Sequence, residues 1–230
     1  MWRNPETYGT VTYVSVTYAS AEVPRLRGRL HLAAAPVALI GGLVLVIAAT
    51  EPAHRVAVGV FAITSVLLFA TSATYHVGRW VPSTKALLRR LDHSNIFLII
   101  AGTYTPLSLM LLPWDDAKVL LAVVWSGAIA GVLIRNFWLT APRWIYVPIY
   151  VALGWAAIFY IPEFAAAGPL ILSLIVAGGL LYTVGAMVYA FKWPQFSKTW
   201  FGFHELFHAF TIAAFCCHFA AIALSLAKFG

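Results

Sequence analysis

Seven long, mainly apolar runs constrain the fold of this chain more than any other feature. Short segments containing prolines, tryptophans and charged side chains separate them. The runs cover residues 32–49, 56–76, 91–112, 118–138, 144–161, 169–191 and 202–227. Each is close to the length of about 20 residues that a helix needs to cross the hydrocarbon core of a bilayer. The pattern therefore predicts seven transmembrane helices.

Composition excludes the main alternatives to a membrane bundle. Only 10% of the residues are charged and 62% are hydrophobic, with a mean hydropathy of +0.86, whereas a soluble domain carries about 25% charged residues. A soluble domain and a disordered chain are both incompatible with these values. The runs are continuous rather than alternating, which argues against an outer-membrane barrel. The predicted fold class is an all-α polytopic membrane protein, a seven-helix bundle.

The first 30 residues differ from the rest of the chain. They are polar and rich in β-branched residues, and they end in a basic stretch at Arg25, Arg27 and Arg29. No continuous apolar core follows the basic start, so the segment does not resemble a cleaved signal peptide. We predict a cytoplasmic N-terminal tail over residues 1–30 and a membrane domain over residues 31–230.

The distribution of basic residues predicts the orientation of the bundle. With seven spans, twelve lysines and arginines fall on one side: Arg3, Arg25, Arg27, Arg29, Arg79, Lys85, Arg89, Arg90, Arg135, Arg143, Lys192 and Lys198. The other side holds three, namely Arg55, Lys118 and Lys228. Cytoplasmic loops carry the excess of Lys and Arg, so we expect an inner (plasma) membrane protein with the N-terminus in the cytoplasm and the C-terminus outside. The basic residues are divided among short loops, which argues against nucleic-acid binding.

Ionisable residues within the spans are the candidates for function, because they are costly to place in a membrane. His76, with Ser72 one turn before it, ends the second run; Asp92 begins the third; His204 and His208 begin the seventh. Alternate spans run in opposite directions, so these clusters should lie at the cytoplasmic end at similar depth.

Spacing within these helices indicates a metal site. His204 and His208 are four residues apart and share one helix face. With His76 as a third nitrogen ligand, the site would have three protein ligands and an open position, as catalytic zinc sites do. Asp92 would orient a water or take its proton, and Ser72 would fix a ligand or that water.

The remaining polar residues are predicted to have other roles. His93 points about 100° away from Asp92 and is predicted to be interfacial. His218 lies about 15 Å beyond His208 along the helix, too far for the same ion, and should form a hydrogen bond inside the bundle. His31 is expected at the interface or in a loop. Arg135 should extend its charge into the headgroups.

The segment 204–208 also matches the H-E-x-x-H pattern of zinc metalloproteases, in which the glutamate is the general base. The metal part of this interpretation agrees with the site above. The protease part lacks a third ligand downstream, because His218 is too distant. Glu205 remains a candidate second base, a charge partner or an interfacial carboxylate.

Several segments taken together resemble the hemolysin III family. They are S-x-x-x-H at 72–76, LDHSNI at 91–96 continuing to AGTYTP at 101–106, HELFH at 204–208 and CHF at 217–219. The resemblance covers roughly residue 24 to the end. The family is grouped with the progestin and adipoQ receptors, which include the adiponectin receptors, and is more distantly similar to alkaline ceramidases.

This resemblance implies a seven-helix bundle with a cytoplasmic N-terminus and an intramembrane zinc ion near the cytoplasmic side. The zinc histidines of the family map to His76, His204 and His208, with Ser72 and Asp92 near the water. The chain has Glu205 where the adiponectin receptors tend to have glutamine, and it lacks their long cytoplasmic region. These differences argue against hormone signalling.

Three functional hypotheses remain open at this point. The first is a zinc-dependent, ceramidase-like hydrolase of a lipid acyl amide or related acyl lipid, with membrane lipids as its partners. The second is a pore-forming cytolysin, as the family name implies. The third is a non-enzymatic membrane sensor in which zinc is structural. The sequence does not distinguish oligomeric states.

Overall fold

The structure is a computed structural model that describes residues 24–138 and 142–230. Most of the predicted tail, residues 1–23, lies outside these ranges, so its assignment as a separate cytoplasmic segment stays a prediction. Within the described ranges every regular element is helical. The α-helices are α1 (Arg29–Ala48), α2 (Pro52–Val77), α3 (Pro82–Leu111), α4 (Trp114–Phe137), α5 (Arg143–Gly154), α6 (Ile161–Ala166), α7 (Pro169–Phe191) and α8 (Phe203–Phe229).

The prediction of a seven-helix membrane bundle is confirmed. Seven helical segments of the described chain are long and apolar enough to cross a bilayer, the fifth being the composite of α5 and α6. The third helix begins at Pro82 rather than at residue 91. Apolarity marks only the part of a helix inside the hydrocarbon, whereas α3 continues through its charged first turns beyond that region.

The fifth span is not the single continuous helix that its hydropathy predicts. A short 3-10 helix, Ala156–Tyr160, separates α5 from α6. The Tyr104 hydroxyl on α3 donates to the Gly154 carbonyl at 2.7 Å and accepts from the Ala157 amide at 2.9 Å. Backbone groups freed inside a bilayer need such partners, so Tyr104 supports the break.

The packing follows the order of the chain and then closes on itself. Neighbouring helices pack together from α1 to α4, and α7 packs along α8. The last helix also contacts α1 and α3, which brings the first and last described helices together. Outer faces are apolar: Ile47 is 80% exposed and Phe137 is 87% exposed, as suits contact with lipid.

Two glycines allow the first three helices to approach closely. A Cβ at Gly42 on α1 would overlap Ala62 on α2, and a Cβ at Gly102 on α3 would overlap Thr64 on α2. Small residues at helix contacts are typical of membrane bundles, where packing rather than hydrophobic burial holds helices together. These contacts fix α2 beside α3, the two helices that carry His76 and Asp92.

Candidate metal centre

The structure brings together the three histidines expected to bind metal. His76 lies in the last turn of α2, whereas His204 and His208 lie on the first two turns of α8. One ring nitrogen from each of the three falls within 4.8 Å of the others. The Nε2 atoms of His76 and His204 are 3.1 Å apart. We call the end of the bundle that holds this histidine cluster the site end.

Asp92 and Ser72 lie beside the histidine cluster. The Asp92 Oδ2 atom is 3.8 Å from His76 Nε2. The Ser72 hydroxyl lies next to the Asp92 carboxylate, yet it is buried and has no hydrogen bond of normal geometry to any described residue. A buried hydroxyl without a partner is unusual, and here it faces the space next to the histidines.

Glu205 has a structural role at the start of α8. Its side chain is fully buried; Oε2 accepts a hydrogen bond from the Gly202 amide at 2.7 Å, and Oε1 is paired with the Arg27 guanidinium. Both oxygens are therefore engaged by groups other than the three histidines. Of the roles left open by the sequence, this arrangement corresponds to the charge partner and does not fit the base of a metalloprotease.

The segment before α1 packs against the start of α8. The Arg25 amide donates to the Thr199 carbonyl at 2.9 Å, and the Arg25 guanidinium lies 4.7 Å from the centre of the Trp200 ring. Gly28 has a φ of 77° and lies so close to the His76 side chain that a Cβ at this position would come within 2.6 Å of the His76 Cβ. The site end is thus covered by residues 24–28.

The structure places His31 differently from the sequence expectation. It is buried, with 2% of its surface exposed, and its ring stacks on His208 with centroids 3.8 Å apart and an interplanar angle of 8°. Neither ring nitrogen has a hydrogen-bond partner in the described part of the chain. In the sequence, His31 is a polar side chain in the first turns of an apolar run. This marks it as unusual, but it does not indicate that α1 lies against α8.

Two further expectations from the sequence are wrong. His93 is buried rather than interfacial; its Nδ1 lies 2.7 Å from the Arg89 carbonyl and its Nε2 lies 3.2 Å from the Tyr189 hydroxyl. Arg135 does not reach the headgroups: it is 1% exposed and its guanidinium lies 4.4 Å from the centre of the Tyr146 ring. The start of α5, which carries Tyr146, covers it.

An elongated apolar cavity leads away from the histidine cluster. Its wall includes Asp92 and His208 at one end and Leu107 on α3 and Phe164 on α6 at the other. From Asp92 to Leu107 the cavity follows α3 for about 22 Å at 1.5 Å per residue. That length exceeds one bilayer leaflet, which is about 15 Å of hydrocarbon. The cavity therefore has the length and polarity to contain a lipid chain.

The histidine cluster offers the donor set of a zinc site, and one of its nitrogen pairs has the spacing that zinc requires, while all three ligand atoms lie within 4.8 Å of one another. Two nitrogens bound to a tetrahedral zinc at about 2.0–2.1 Å are separated by about 3.3 Å, close to the 3.1 Å between His76 and His204. Imidazole ligands also suit copper, iron and nickel. The three residues can hold a metal ion, and the Nδ1 atom of His208 has no partner among the described residues that would divert the ring.

Comparison with known proteins gives a consistent result. The profile of a family described as haemolysin-III related matches residues 20–219. A hemolysin-3 homolog from Bacillus subtilis (strain 168) is 30% identical over 164 residues, which are 71% of this chain and 74% of that protein. A hemolysin-3 from Bacillus cereus is 33% identical over 158 residues, or 68% and 69% of the two chains. The matched family region contains the whole histidine cluster.

Proposed function

The chain belongs to the haemolysin-III related family of integral membrane proteins, and from this premise we propose that it is a zinc-dependent hydrolase of a lipid acyl amide or related acyl lipid. The observation that carries the proposal is the position of the histidine cluster and Asp92 at one end of an apolar cavity. His76, His204 and His208 would hold the zinc. Bound there, zinc would activate water as a nucleophile and polarise the acyl carbonyl.

In this reaction Asp92, Ser72 and the cavity wall would each have a separate role. Asp92 Oδ2 accepts a proton from the attacking water and returns it to the leaving nitrogen, so the products are a carboxylic acid and an amine. A positioned base of this kind contributes about 10²–10⁴ in rate. Ser72 donates a hydrogen bond that orients the Asp92 carboxylate or the water. The apolar wall of the cavity holds the acyl chain and excludes bulk water.

Replacing Asp92 tests the proposal most directly. Purified protein in vesicles containing N-acyl lipids should release fatty acid, and Asp92→Asn should lower the initial rate by about 100-fold or more, measured by mass spectrometry. Asp115→Asn is the matched control, because that carboxylate is 85% exposed and lies at the opposite end of the bundle. Equal rates for wild type and Asp92→Asn, or no fatty acid from the wild type, would contradict the proposal.

The metal is tested separately from the reaction. We expect about one zinc per chain by plasma mass spectrometry, lost in His208→Ala. Zinc that is retained in all three single histidine variants would exclude this site. If instead chelation unfolds the wild type and no lipid product forms, zinc has a structural role in a non-enzymatic membrane sensor.

The names of the two bacterial relatives support cytolysis as a second candidate. If the chain forms pores, vesicles loaded with a fluorescent dye should leak when the purified protein is inserted. Each span contains an 18-residue stretch with a mean hydropathy between 1.4 and 2.3, which suits constitutive insertion better than a water-filled channel. Vesicles that stay tight would exclude this candidate and leave the hydrolase unaffected.

A further inference from the structure

We propose that Tyr182 and His218 form a second polar subsite, in the middle of the cavity, that binds a hydroxyl group carried on the acyl chain of the lipid. The inference rests on the proposed hydrolase function for its ligand class, an acyl lipid.

Tyr182 and His218 leave two polar atoms unpaired inside the cavity wall. The Tyr182 hydroxyl and His218 Nδ1 are both buried without a hydrogen-bond partner in the described ranges. Both side chains line the cavity, and their ring centroids are 5.6 Å apart. An unpaired buried polar group is costly, so two of them on neighbouring side chains need an explanation.

Their neighbours in the wall show that the unpaired atoms are exceptional. Hydroxyl and indole groups nearby have partners within normal distance: Thr103 to the Ile99 carbonyl at 2.7 Å, Thr183 to the Gly179 carbonyl at 2.8 Å, Trp155 to Thr183 at 2.9 Å and Thr211 to the Phe207 carbonyl at 2.9 Å. The middle of the cavity is otherwise satisfied. Hydrogen-bonding capacity is left over only where Tyr182 meets His218, among the described residues of this stretch.

The hydrogen bond on the other side of His218 determines what Nδ1 can do. His218 Nε2 lies 3.1 Å from the Ile175 carbonyl, which can only accept, so Nε2 carries the hydrogen. In the neutral ring Nδ1 is then an acceptor, while the Tyr182 hydroxyl can donate or accept. A ligand hydroxyl satisfies both, because it donates to Nδ1 and accepts from Tyr182. A ketone or ether oxygen only accepts, and it would leave Nδ1 unpaired.

The backbone of α7 is shaped to receive the His218 ring. A Cβ at Gly178 would collide with this ring, so only glycine lets it lie against the helix.

The His218 ring is ten residues beyond His208 on α8, about 15 Å further along the axis at 1.5 Å per residue. An extended chain advances about 1.2 Å per bond, since three bonds span about 3.3–3.6 Å. The hydroxyl should therefore lie about 12 bonds from the reacting carbonyl.

Direct binding of fatty acids tests the subsite. The full chain, purified in nanodiscs, is titrated with stearic acid and with three isomers of hydroxystearic acid. Their hydroxyl lies near the carboxyl group, at about carbon 12 or at the methyl terminus, respectively. We expect the isomer near carbon 12 to bind about five- to tenfold more tightly than the other isomers. The ketone at the same carbon should bind less tightly than that alcohol. Tyr182→Phe should remove most of the preference.

Tyr160→Phe is the matched control, because Tyr160 does not line the cavity. It should keep the preference. Equal affinities for all hydroxyl positions in the wild type would overturn the inference and would mean that the two atoms share a water only. A preference that persists in Tyr182→Phe would also overturn it. Binding is measured without turnover, so the two proposals can fail separately. An affinity that depends on hydroxyl position, in a protein that hydrolyses no lipid, supports the subsite and rejects the proposed reaction. Hydrolysis in a protein whose affinity does not depend on hydroxyl position supports the reaction and rejects the subsite.

Discussion

His31 shows how a single side chain affects the proposed metal site without being one of its three ligands. Its ring lies parallel to that of His208 at 3.8 Å and edge-on to Phe69 at 5.1 Å. His208 is therefore held on one face by a flat ring that is itself fixed by a phenylalanine. Residues that orient a metal ligand commonly contribute 10–100-fold to metal affinity.

We predict that His31→Ala lowers zinc affinity about tenfold, because the His208 ring gains freedom to rotate. His31→Phe should retain most of the affinity, since a phenyl ring can stack in the same place. Competition with a chelator of known affinity measures both variants. If His31→Phe loses as much as His31→Ala, the imidazole itself contacts the metal; if neither variant changes the affinity, His31 does not position His208.

Arg135 carries a buried charge that is poorly compensated. Its Nε and Nη1 atoms have no hydrogen-bond partner and no carboxylate pairs with it within residues 24–138 and 142–230. Its nearby partner is the Tyr146 ring, worth about 0.5–2 kcal/mol as a cation–π contact. Arg143 is different, because it donates to the Tyr189 carbonyl at 2.9 Å and lies 4.3 Å from the centre of that ring.

Arg135→Met should therefore change the free energy of unfolding by less than about 1 kcal/mol, since relief of desolvation offsets the lost cation–π contact. Arg143→Met is the matched comparison and should cost about 1.5–3 kcal/mol, the value of a hydrogen bond from a charged group. Unfolding of both variants in detergent, followed by tryptophan fluorescence, gives the difference. Equal losses would show that Arg135 has a counterion that stabilises it.

At the scale of single residues, the sequence predicts depth well and lateral position poorly. Spans of alternating direction bring their ends to one layer, and this rule predicts the proximity of His76, Asp92, His204 and His208. Nothing in the same pattern indicates that α1 lies against α8, so it predicts His31 at the interface or in a loop. The same pattern predicts Arg135 in the headgroups, whereas its burial depends on Tyr146, eleven residues further along and in another helix.

At the scale of elements, α7 carries two adjacent glycines in different surroundings. A Cβ at Gly178 would overlap the His218 ring, whereas a Cβ at Gly179 would meet only Trp155 atoms at 3.8 and 4.0 Å. Alanine favours a helix over glycine by about 1 kcal/mol. Alanine at position 179 therefore changes only the helix propensity, whereas alanine at position 178 also competes with the His218 ring for space.

We predict that Gly178→Ala lowers the stability of the bundle by about 1–3 kcal/mol, because the ring must move out of its position. Gly179→Ala should be neutral or raise stability by up to about 1 kcal/mol. Thermal unfolding of the two variants in the same detergent provides the measurement. A Gly178→Ala protein as stable as Gly179→Ala would mean that the His218 ring is not held against α7.

Hydropathy identified each span but not the shape of the fifth. Residues 144–161 read as a continuous apolar run, and the break between α5 and α6 exists because Tyr104 on another helix satisfies the Gly154 carbonyl and the Ala157 amide. A propensity pattern within one segment contains no information about a hydroxyl supplied from α3. Hydropathy also does not locate the start of α3 at Pro82. The first turns of that helix are charged and lie outside the hydrocarbon, so they do not belong to an apolar run.

At the scale of the whole molecule, the histidine cluster, the start of α8 and the segment 24–28 all lie at the site end. The loop between α7 and α8 lies there as well, whereas the turn between α3 and α4 lies at the opposite end. Of the fourteen lysines and arginines in the described part of the chain, eleven are assigned to the site end by the order of the spans. This asymmetry predicts that the site end faces the cytoplasm.

Labelling of single cysteines decides the orientation. In a background with Cys216 and Cys217 replaced by alanine, Asp115→Cys and Lys198→Cys place one exposed thiol at each end of the bundle. In intact cells a maleimide that does not cross membranes should label position 115, and position 198 should react only after permeabilisation. The reverse pattern would place the histidine cluster toward the exterior, and the site would then take its metal from outside the cell.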